Sequence, residues 1–132
     1  TAAGVASLAE AVPALAPRRA LVALVGVLGD KDWNAMLPPL VALADEVILT
    51  DPPTAPPERR WDADAVLAAT GAGSRGRVVR PFDAALAEAG RIAAGGTVLC
   101  TGSVHPVGDA MHALGIAPFG GRPGLQPEGA RP

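Results

Sequence analysis

The sequence predicts one α/β domain in which a parallel sheet is flanked by helices on both faces. Four aliphatic runs of strand length alternate with segments whose apolar residues recur at helical spacing, so the order of elements is αβαβαβαβα. The strand runs are continuously apolar, which is typical of strands buried on both faces and therefore of parallel sheets. The 132 residues are enough for a single domain with its own core.

The first half of the chain alternates two helices with two strands. Apolar residues at helical spacing predict a helix over 2–15, and an unbroken aliphatic run at 21–27 predicts the first strand. A second helix is predicted over 33–44, with a kink or a restart at the prolines 38–39, because proline lacks the N–H that an interior helical turn uses. The run at 46–50 is the second predicted strand, and a proline-rich loop follows it.

The second half continues the same alternation. The elements predicted there are, in order, a helix over 62–69, a strand at 78–79, a helix over 83–94 and a strand at 97–101. Asp62 and Asp83 stand at the starts of the two helices, where aspartate is a favoured N-cap residue. We therefore predict that both helices are capped by these carboxylates.

A last helix precedes a segment of different composition. The apolar face predicted for this helix consists of Val107, Met111 and Leu114, and Gly115 ends it. From 117 onward the chain is rich in glycine and proline and has little to bury, so we expect a mobile tail. The predicted division is a domain over 1–116 followed by this tail, 117–132.

Composition argues against several classes of protein. The formal net charge is −2, whereas nucleic-acid binding needs a clustered basic face. The longest apolar run, 20–28, is too short to cross a bilayer, and we see no secretion-signal pattern. Cys100 is the only cysteine, so no disulfide framework or cysteine zinc site is expected. We predict a cytoplasmic protein that binds neither nucleic acid nor membrane and supplies no metal ligands.

Polar residues collect in the loops that follow the predicted strands. These loops read GDKDW, TDPPTAPPERRW, RPFD and TGSVHPVGD in chain order. Since the carboxyl ends of parallel strands meet at one edge of the sheet, these segments are expected to converge there. Ligands of open α/β sheets bind at that edge, so the candidate functional residues are sought in these four loops.

The loop after the first strand contains Lys31, the only lysine in the chain. A surface salt bridge with Asp30 or Asp32 is one interpretation, and such a pair contributes little to stability. The other is a mobile cation at the binding edge that meets a phosphate or a carboxylate. Arg59 and Arg60, after the second strand, are similarly divided between a solvated loop and an anion clamp.

The loop after the fourth strand has a glycine, a hydroxyl and a helix start in succession. Gly102 permits a sharp turn and a close approach of backbones. Ser103 either caps the following helix or holds a small carboxylate, and Pro106 suits a first helical position. His105 is either a ligand contact or solvated, and Cys100 is expected to be a small buried apolar group.

A glycine pattern elsewhere imitates a nucleotide-binding motif. Gly71, Gly73 and Gly76 spell G-x-G-x-x-G, but they follow a predicted helix and precede a predicted strand. The dinucleotide fingerprint requires the opposite order, because it holds pyrophosphate against the N-terminus of the following helix. We interpret the segment as a turn, and the sequence has no phosphate-binding loop of the G-x-x-x-x-G-K-[ST] type.

Three of these segments together resemble a known family. VGVLGDKDWNAML, EVILTDPPTAPPERRW and TVLCTGSVHPVGDAM, in that order, are similar to the C-terminal domain of the folylpolyglutamate synthase and dihydrofolate synthase family, within the Mur ligase superfamily. The resemblance covers about residues 1–115. It implies a Rossmann-like three-layer domain with a mostly parallel sheet. The family's domain opens with a strand, whereas this sequence opens with a helix, so we expect a piece of a larger protein that lacks the first strand.

The resemblance implies an activity that uses ATP to form an amide. A carboxylate of dihydropteroate or folylpolyglutamate takes the γ-phosphate of ATP, and the amine of L-glutamate attacks the resulting acyl phosphate. The C-terminal domain supplies glutamate-binding residues and closes the cleft. ATP and Mg would bind mainly to an N-terminal ATPase domain outside this sequence, so the implied partners are that domain, glutamate, ATP and the folate substrate. The 132-residue chain alone is expected to be inactive.

The resemblance also implies roles for individual residues. Lys31 and Asp32 match the family's Lys-Asp turn at the interdomain edge and are the catalytic candidates, while Ser103 matches its glutamate-binding serine. Gly102, His105 and Arg60 are further substrate-binding candidates, although relatives often carry another residue in place of His105. Two alternatives stay open: a free-standing Rossmann-like module that binds a small anion or nucleotide without catalysis, and a non-catalytic interaction domain.

Overall fold

A computed structural model describes residues 1–102 and 104–116, with the backbone alone at 104 and 105. The predicted tail, 117–132, and Ser103 lie outside the described residues. In chain order the elements are α1 (Ala2–Ala14), β1 (Leu21–Gly26), α2 (Trp33–Leu43), β2 (Glu46–Leu49), α3 (Ala63–Thr70), β3 (Gly76–Val78), α4 (Phe82–Ala93), β4 (Thr97–Gly102) and α5 (Val104–Ala113). The predicted order of helices and strands is confirmed.

The four strands form one parallel sheet in the order β3-β2-β1-β4. The chain therefore moves outward from β1 to β2 and β3, and then returns to the other side of β1. This reversal makes the gap between the carboxyl ends of β1 and β4 the topological switch point of the sheet, which is where open α/β sheets bind ligands.

The core has two halves, one on each face of the sheet. Ala23 and Val25 of β1 face the half that α1, α2 and α3 cover, whereas Val22 and Leu24 face the half that α4 and α5 cover. All six residues of β1 are buried, which is why this segment is aliphatic without interruption. The predicted α/β class, with helices on both faces of a parallel sheet, is confirmed.

Two helices, α2 and α4, differ from the predictions. α2 runs through Pro38 and Pro39 without a restart, because its buried face against the sheet outweighs the two missing N–H donors. Asp62 caps α3 as predicted, accepting a 3.1 Å hydrogen bond from the N–H of Ala65. The predicted cap at Asp83 is wrong. α4 begins one residue earlier, at the buried Phe82, so Asp83 lies within the first turn.

The last helix turns a different face to the core than the sequence predicts. α5 begins at Val104, so Pro106 is its third residue rather than its first. Its buried contact with the sheet is made by Ala110, while Val107 and Leu114 are 40% and 61% exposed. Small residues let the helix lie close to β4, and the larger apolar residues are turned outward. No helix in the described part of the chain is long and apolar enough to span a membrane.

Candidate functional site

An open cavity of about 310 Å³ lies at the switch point, at the carboxyl ends of β1 and β4. Lys31 lines it from the loop after β1, and Thr101 and Gly102 line it from the end of β4. Thr1, the N-cap of α1, and Gly4, in its first turn, form another part of the wall. We call this the switch-point cavity. It brings together two of the loops in which the sequence places the candidate residues.

Because it has no side chain, Gly102 lets the backbones of β1 and β4 approach each other closely at the wall of this cavity. It pairs with Gly26 in the register of β1 and β4, and its φ is +127°, a conformation that strongly favours glycine. A Cβ atom at this position would lie 2.3 Å from the carbonyl oxygen of Gly26. The close approach predicted at Gly102 is confirmed, and any larger residue would push β4 away from β1.

The loop after β1 is held by the loop after β2. Leu28 forms an isolated antiparallel bridge with Arg60, and the N–H of Gly29 donates a 2.6 Å hydrogen bond to the carbonyl of Arg59. A Cβ atom on Gly29 would lie 2.8 Å from the carbonyl oxygen of Arg60, so the two backbones are in direct contact. This contact fixes the start of the turn that carries Lys31.

The acids on either side of Lys31 are engaged by other groups. The carboxylate of Asp30 accepts a 2.7 Å hydrogen bond from the guanidinium of Arg59, which holds the pKa of Asp30 below its usual value. Asp32 is the N-cap of α2 and accepts a 3.3 Å hydrogen bond from the N–H of Ala35. Among the described residues, Lys31 has no carboxylate within salt-bridge distance.

Lys31 and two helix N-termini place positive charge at the switch-point cavity. The ammonium-bearing Lys31 lines it, and the N-terminus of α1 opens onto it. α5 starts two residues after Gly102 in the sequence, and its Val107 also lines the cavity, so a second helix begins at this edge. Helix N-termini carry partial positive charge and free N–H groups that bind carboxylates and phosphates. The cavity is thus suited to a small anion.

The remaining predicted site residues lie near this cavity but do not all line it. Arg60 is exposed in the loop after β2 and contacts Leu28 through its backbone. Asp32 lies at the start of α2, one residue from Lys31. Ser103 lies outside the described residues, and for His105 the structure describes only its backbone, in the first turn of α5.

The contribution of α1 to this cavity was not predicted from the sequence. A helix that leads into a parallel strand runs opposite to that strand, so its N-terminus lies at the carboxyl edge of the sheet. That rule would have placed Thr1 and Gly4 beside the loop of Lys31. Thr101 belongs both to the predicted fourth strand and to the loop segment TGSVHPVGD, but its residue type alone does not mark it as a cavity residue; it lies near the end of β4.

No metal site is found in the described ranges, 1–102 and 104–116, where no three His, Cys, Asp or Glu side chains are grouped to hold an ion. We assign no ligand for Mg among these residues. The G-x-G-x-x-G segment lies between α3 and β3, as predicted, with Gly71 as the left-handed cap of α3. It lies at the amino end of β3, away from the switch-point cavity.

A larger open groove of about 820 Å³ lies between α4, α5 and the loop after β2. Its polar side chains include Asp83, Asp109 and His112, and the hydroxyl of Thr54 donates a 3.1 Å hydrogen bond to Asp109. Two carboxylates make this groove a poor site for an anion. We therefore take the switch-point cavity, with its lysine and helix N-termini, as the candidate functional site.

Comparison with known families gives one match that covers most of the chain. The family described as "Mur ligase, glutamate ligase domain" matches residues 1–104. Among curated proteins, no significant match to the chain is found.

Solved structures of ligases are also similar to this chain. Folylpolyglutamate synthase of Mycobacterium tuberculosis, complexed with ADP and AMPPCP, is 28% identical with a TM-score of 0.79, and the match covers 89% of this chain and 28% of that one. A second structure of the enzyme, with ADP, has a TM-score of 0.77 at 28% identity, covering 89% of this chain and 29% of that one. The bifunctional folylpolyglutamate synthase/dihydrofolate synthase of Yersinia pestis, with AMPPNP and Mn ion, is 25% identical with a TM-score of 0.63, covering 85% and 27%. The chain thus spans less than a third of the length of these enzymes.

Proposed function

Because the chain belongs to the Mur ligase, glutamate ligase domain family, we propose that it is the C-terminal domain of an ATP-dependent carbon–nitrogen ligase. The substrates we assign to the whole ligase are ATP, L-glutamate and dihydropteroate or folylpolyglutamate. The likeness to two folylpolyglutamate synthases, each solved with an adenine nucleotide or its analogue, supports this assignment. In this proposal 1–116 is the glutamate ligase domain, and an N-terminal ATPase domain of the same protein is its partner.

The reaction we propose has two steps. A substrate carboxylate attacks the γ-phosphorus of ATP, so that ADP leaves and an acyl phosphate forms. The amine of glutamate then attacks the acyl carbon and gives up one proton to the departing phosphate or to water, the C–O bond to phosphate breaks, and inorganic phosphate leaves with the bonding electrons. Both steps place negative charge in the cleft, which fixed cations and dipoles stabilise when they are positioned in advance.

We assign Lys31 as the residue of this chain that stabilises that negative charge. Its neighbours Asp30 and Asp32 are occupied by Arg59 and by the N-terminus of α2, so its ammonium is available to a ligand in the switch-point cavity. A compact ammonium on a flexible stem meets phosphate or carboxylate as a point charge. We propose that Lys31 contacts the acyl phosphate or the incoming glutamate, with Asp32 holding the turn in register.

The glutamate site is assigned to the opposite wall of the same cavity. Gly102 brings the end of β4 against β1, and Ser103 follows it in the sequence. The hydroxyl of Ser103 and the N–H groups at the start of α5 are the donors that we assign to a glutamate carboxylate, as in other anion sites at helix N-termini. Arg60 and His105 are assigned to the substrate side of the cleft.

One observation carries the proposal: the only lysine of the chain lines a cavity at the switch point of the sheet, between two helix N-termini. The test uses the intact ligase that contains this chain and measures ADP release that depends on both glutamate and folate. Lys31→Ala is expected to lower kcat about 100-fold, the usual cost of removing one charge-stabilising group. Ser103→Ala is expected to raise the KM for glutamate more than the KM for ATP.

A matched control is Arg18→Ala, which removes an exposed positive charge from the opposite edge of the sheet, before β1. It should leave both kcat and the melting temperature unchanged. If Lys31→Ala merely melts earlier and turns over normally, Lys31 is not a catalytic residue. If the intact protein shows no ADP release with these substrates but still binds a small anion, the non-catalytic binding module is the correct function.

A further inference from the structure

The geometry points to Arg59 as a positioning residue that keeps Lys31 available to the switch-point cavity by holding the carboxylate of Asp30 away from it. This inference rests on the proposed function of Lys31. Arg59 does not line the cavity, and we assign it no contact with substrate. Its role is to decide which cation Asp30 binds.

Two cations, Arg59 and Lys31, are close to the carboxylate of Asp30. Its carboxylate is 2.7 Å from the guanidinium of Arg59, and Lys31 is the next residue along the chain. Among the influences that lower the pKa of Asp30, the hydrogen bond from Arg59 is the largest and the charge of Lys31 the smallest. The carboxylate is therefore committed to the arginine.

Arg59 is itself held in place by the structure of its loop. It ends a single 3₁₀ turn, Pro57–Arg59, and its carbonyl accepts the N–H of Gly29. Two residues further on, the buried Trp61 donates its indole N–H to the carbonyl of Thr50 at 3.0 Å. The loop is therefore fixed at the end of β2 and again beside the turn of Lys31, so the guanidinium is presented to Asp30 in advance.

The ion pair between Arg59 and Asp30 contributes little to the stability of the fold. The side chains of Arg59 and Asp30 are 41% and 53% exposed, and exposed pairs of this kind contribute little to the folding free energy. Without Arg59, however, the remaining positive charge that acts on Asp30 is that of Lys31. A Lys31–Asp30 pair would draw the ammonium toward the carboxylate and out of the cavity. The effect of losing Arg59 is therefore expected in turnover rather than in melting temperature.

The test compares four variants of the intact ligase: Arg59→Ala, Asp30→Asn, the double variant and Arg59→Lys. Arg59→Ala should lower kcat about tenfold or more, a typical cost of misplacing a reacting group, with little change in melting temperature. Asp30→Asn in the Arg59→Ala background should restore kcat, because no carboxylate then remains to capture Lys31. Asp30→Asn alone and Arg59→Lys should both turn over at rates close to the unaltered enzyme.

A control for the loss of an exposed arginine is Arg91→Ala on α4, where Arg91 pairs with Glu88 far from the cavity. It should not change kcat. If Arg59→Ala is as slow with Asp30→Asn as without it, or turns over normally, Arg59 does not act through Asp30. If Lys31→Ala itself has no effect on turnover, the proposed function of Lys31 fails instead, so the two failures are told apart.

Discussion

Replacing Gly102 by alanine tests whether the switch-point cavity is built as described. Gly102 has φ +127°, and an added Cβ would lie 2.3 Å from the carbonyl oxygen of Gly26 and 2.9 Å from its carbonyl carbon. Backbone atoms of a central strand cannot rotate aside as a flexible side chain does. The substitution must therefore move the ends of β1 and β4 apart by several tenths of an ångström.

Two costs add at this position. A non-glycine residue held in this region of φ is strained by about 1–3 kcal/mol. Forcing an extra methyl group against a packed backbone costs about 1–3 kcal/mol more. The free energy of unfolding should therefore fall by about 2–6 kcal/mol, a large part of the 5–15 kcal/mol typical of a domain.

Urea unfolding of the chain, followed by tryptophan fluorescence and far-UV circular dichroism, measures this loss. Two alanine variants serve as matched controls. Gly95→Ala carries the strain of a positive φ (+86°) with nothing within 4 Å of its Cβ, and Gly108→Ala, within α5, carries neither strain nor clash. Gly108→Ala should stabilise the chain by about 0.5–1 kcal/mol. A loss at Gly102→Ala no greater than at Gly95→Ala would refute the close approach of β1 and β4.

Two further predictions concern groups outside the cavity. The N–H of Leu21, at 2.7 Å, and then Arg19 hold the pKa of Asp45 below its ordinary value. The contribution of Asp45 to stability is therefore present at neutral pH and is lost as the pH falls below about 4. In a plot of the free energy of unfolding against pH, Asp45→Asn should reduce the fall in stability on the acid side. An unchanged fall contradicts this. Burial, with Asp109 nearby, raises the pKa of Cys100 to about 11. Iodoacetamide at pH 8 should alkylate this thiol, which is partly buried, about 100-fold more slowly in the folded than in the urea-unfolded chain, and equal rates would contradict the raised pKa.

Much of the fold could be predicted because it depends on local periodicity and on burial. β1 is buried on both faces, so every position selects an aliphatic residue, and the strand is visible in the sequence. Asp62 is a cap whose partner lies three residues away, so its role is also local. The face that α5 buries could not be predicted, because it depends on how closely Ala110 approaches β4 across the chain.

The candidate site divides in the same way. The rule that loops after parallel strands converge predicted the edge where Lys31 and Gly102 line one cavity. The partner of Asp30 could not be predicted, because Arg59 is 29 residues away in the chain. The start of the turn is likewise fixed by Arg59 and Arg60 through the backbone, and backbone contacts leave no signature in side-chain pattern.

The amino-acid sequence by itself determined that this protein is a parallel α/β domain, that it resembles folate-linked Mur-type ligases, and that its polar loops share an edge. These properties follow from the spacing of residues and from the order of elements along the chain, both of which are read directly from the sequence. The tertiary structure alone decided the strand order, the face that α5 buries and the pairing of Asp30 with Arg59. Those are contacts between distant segments, and they are set by which surfaces pack together once the sheet has formed.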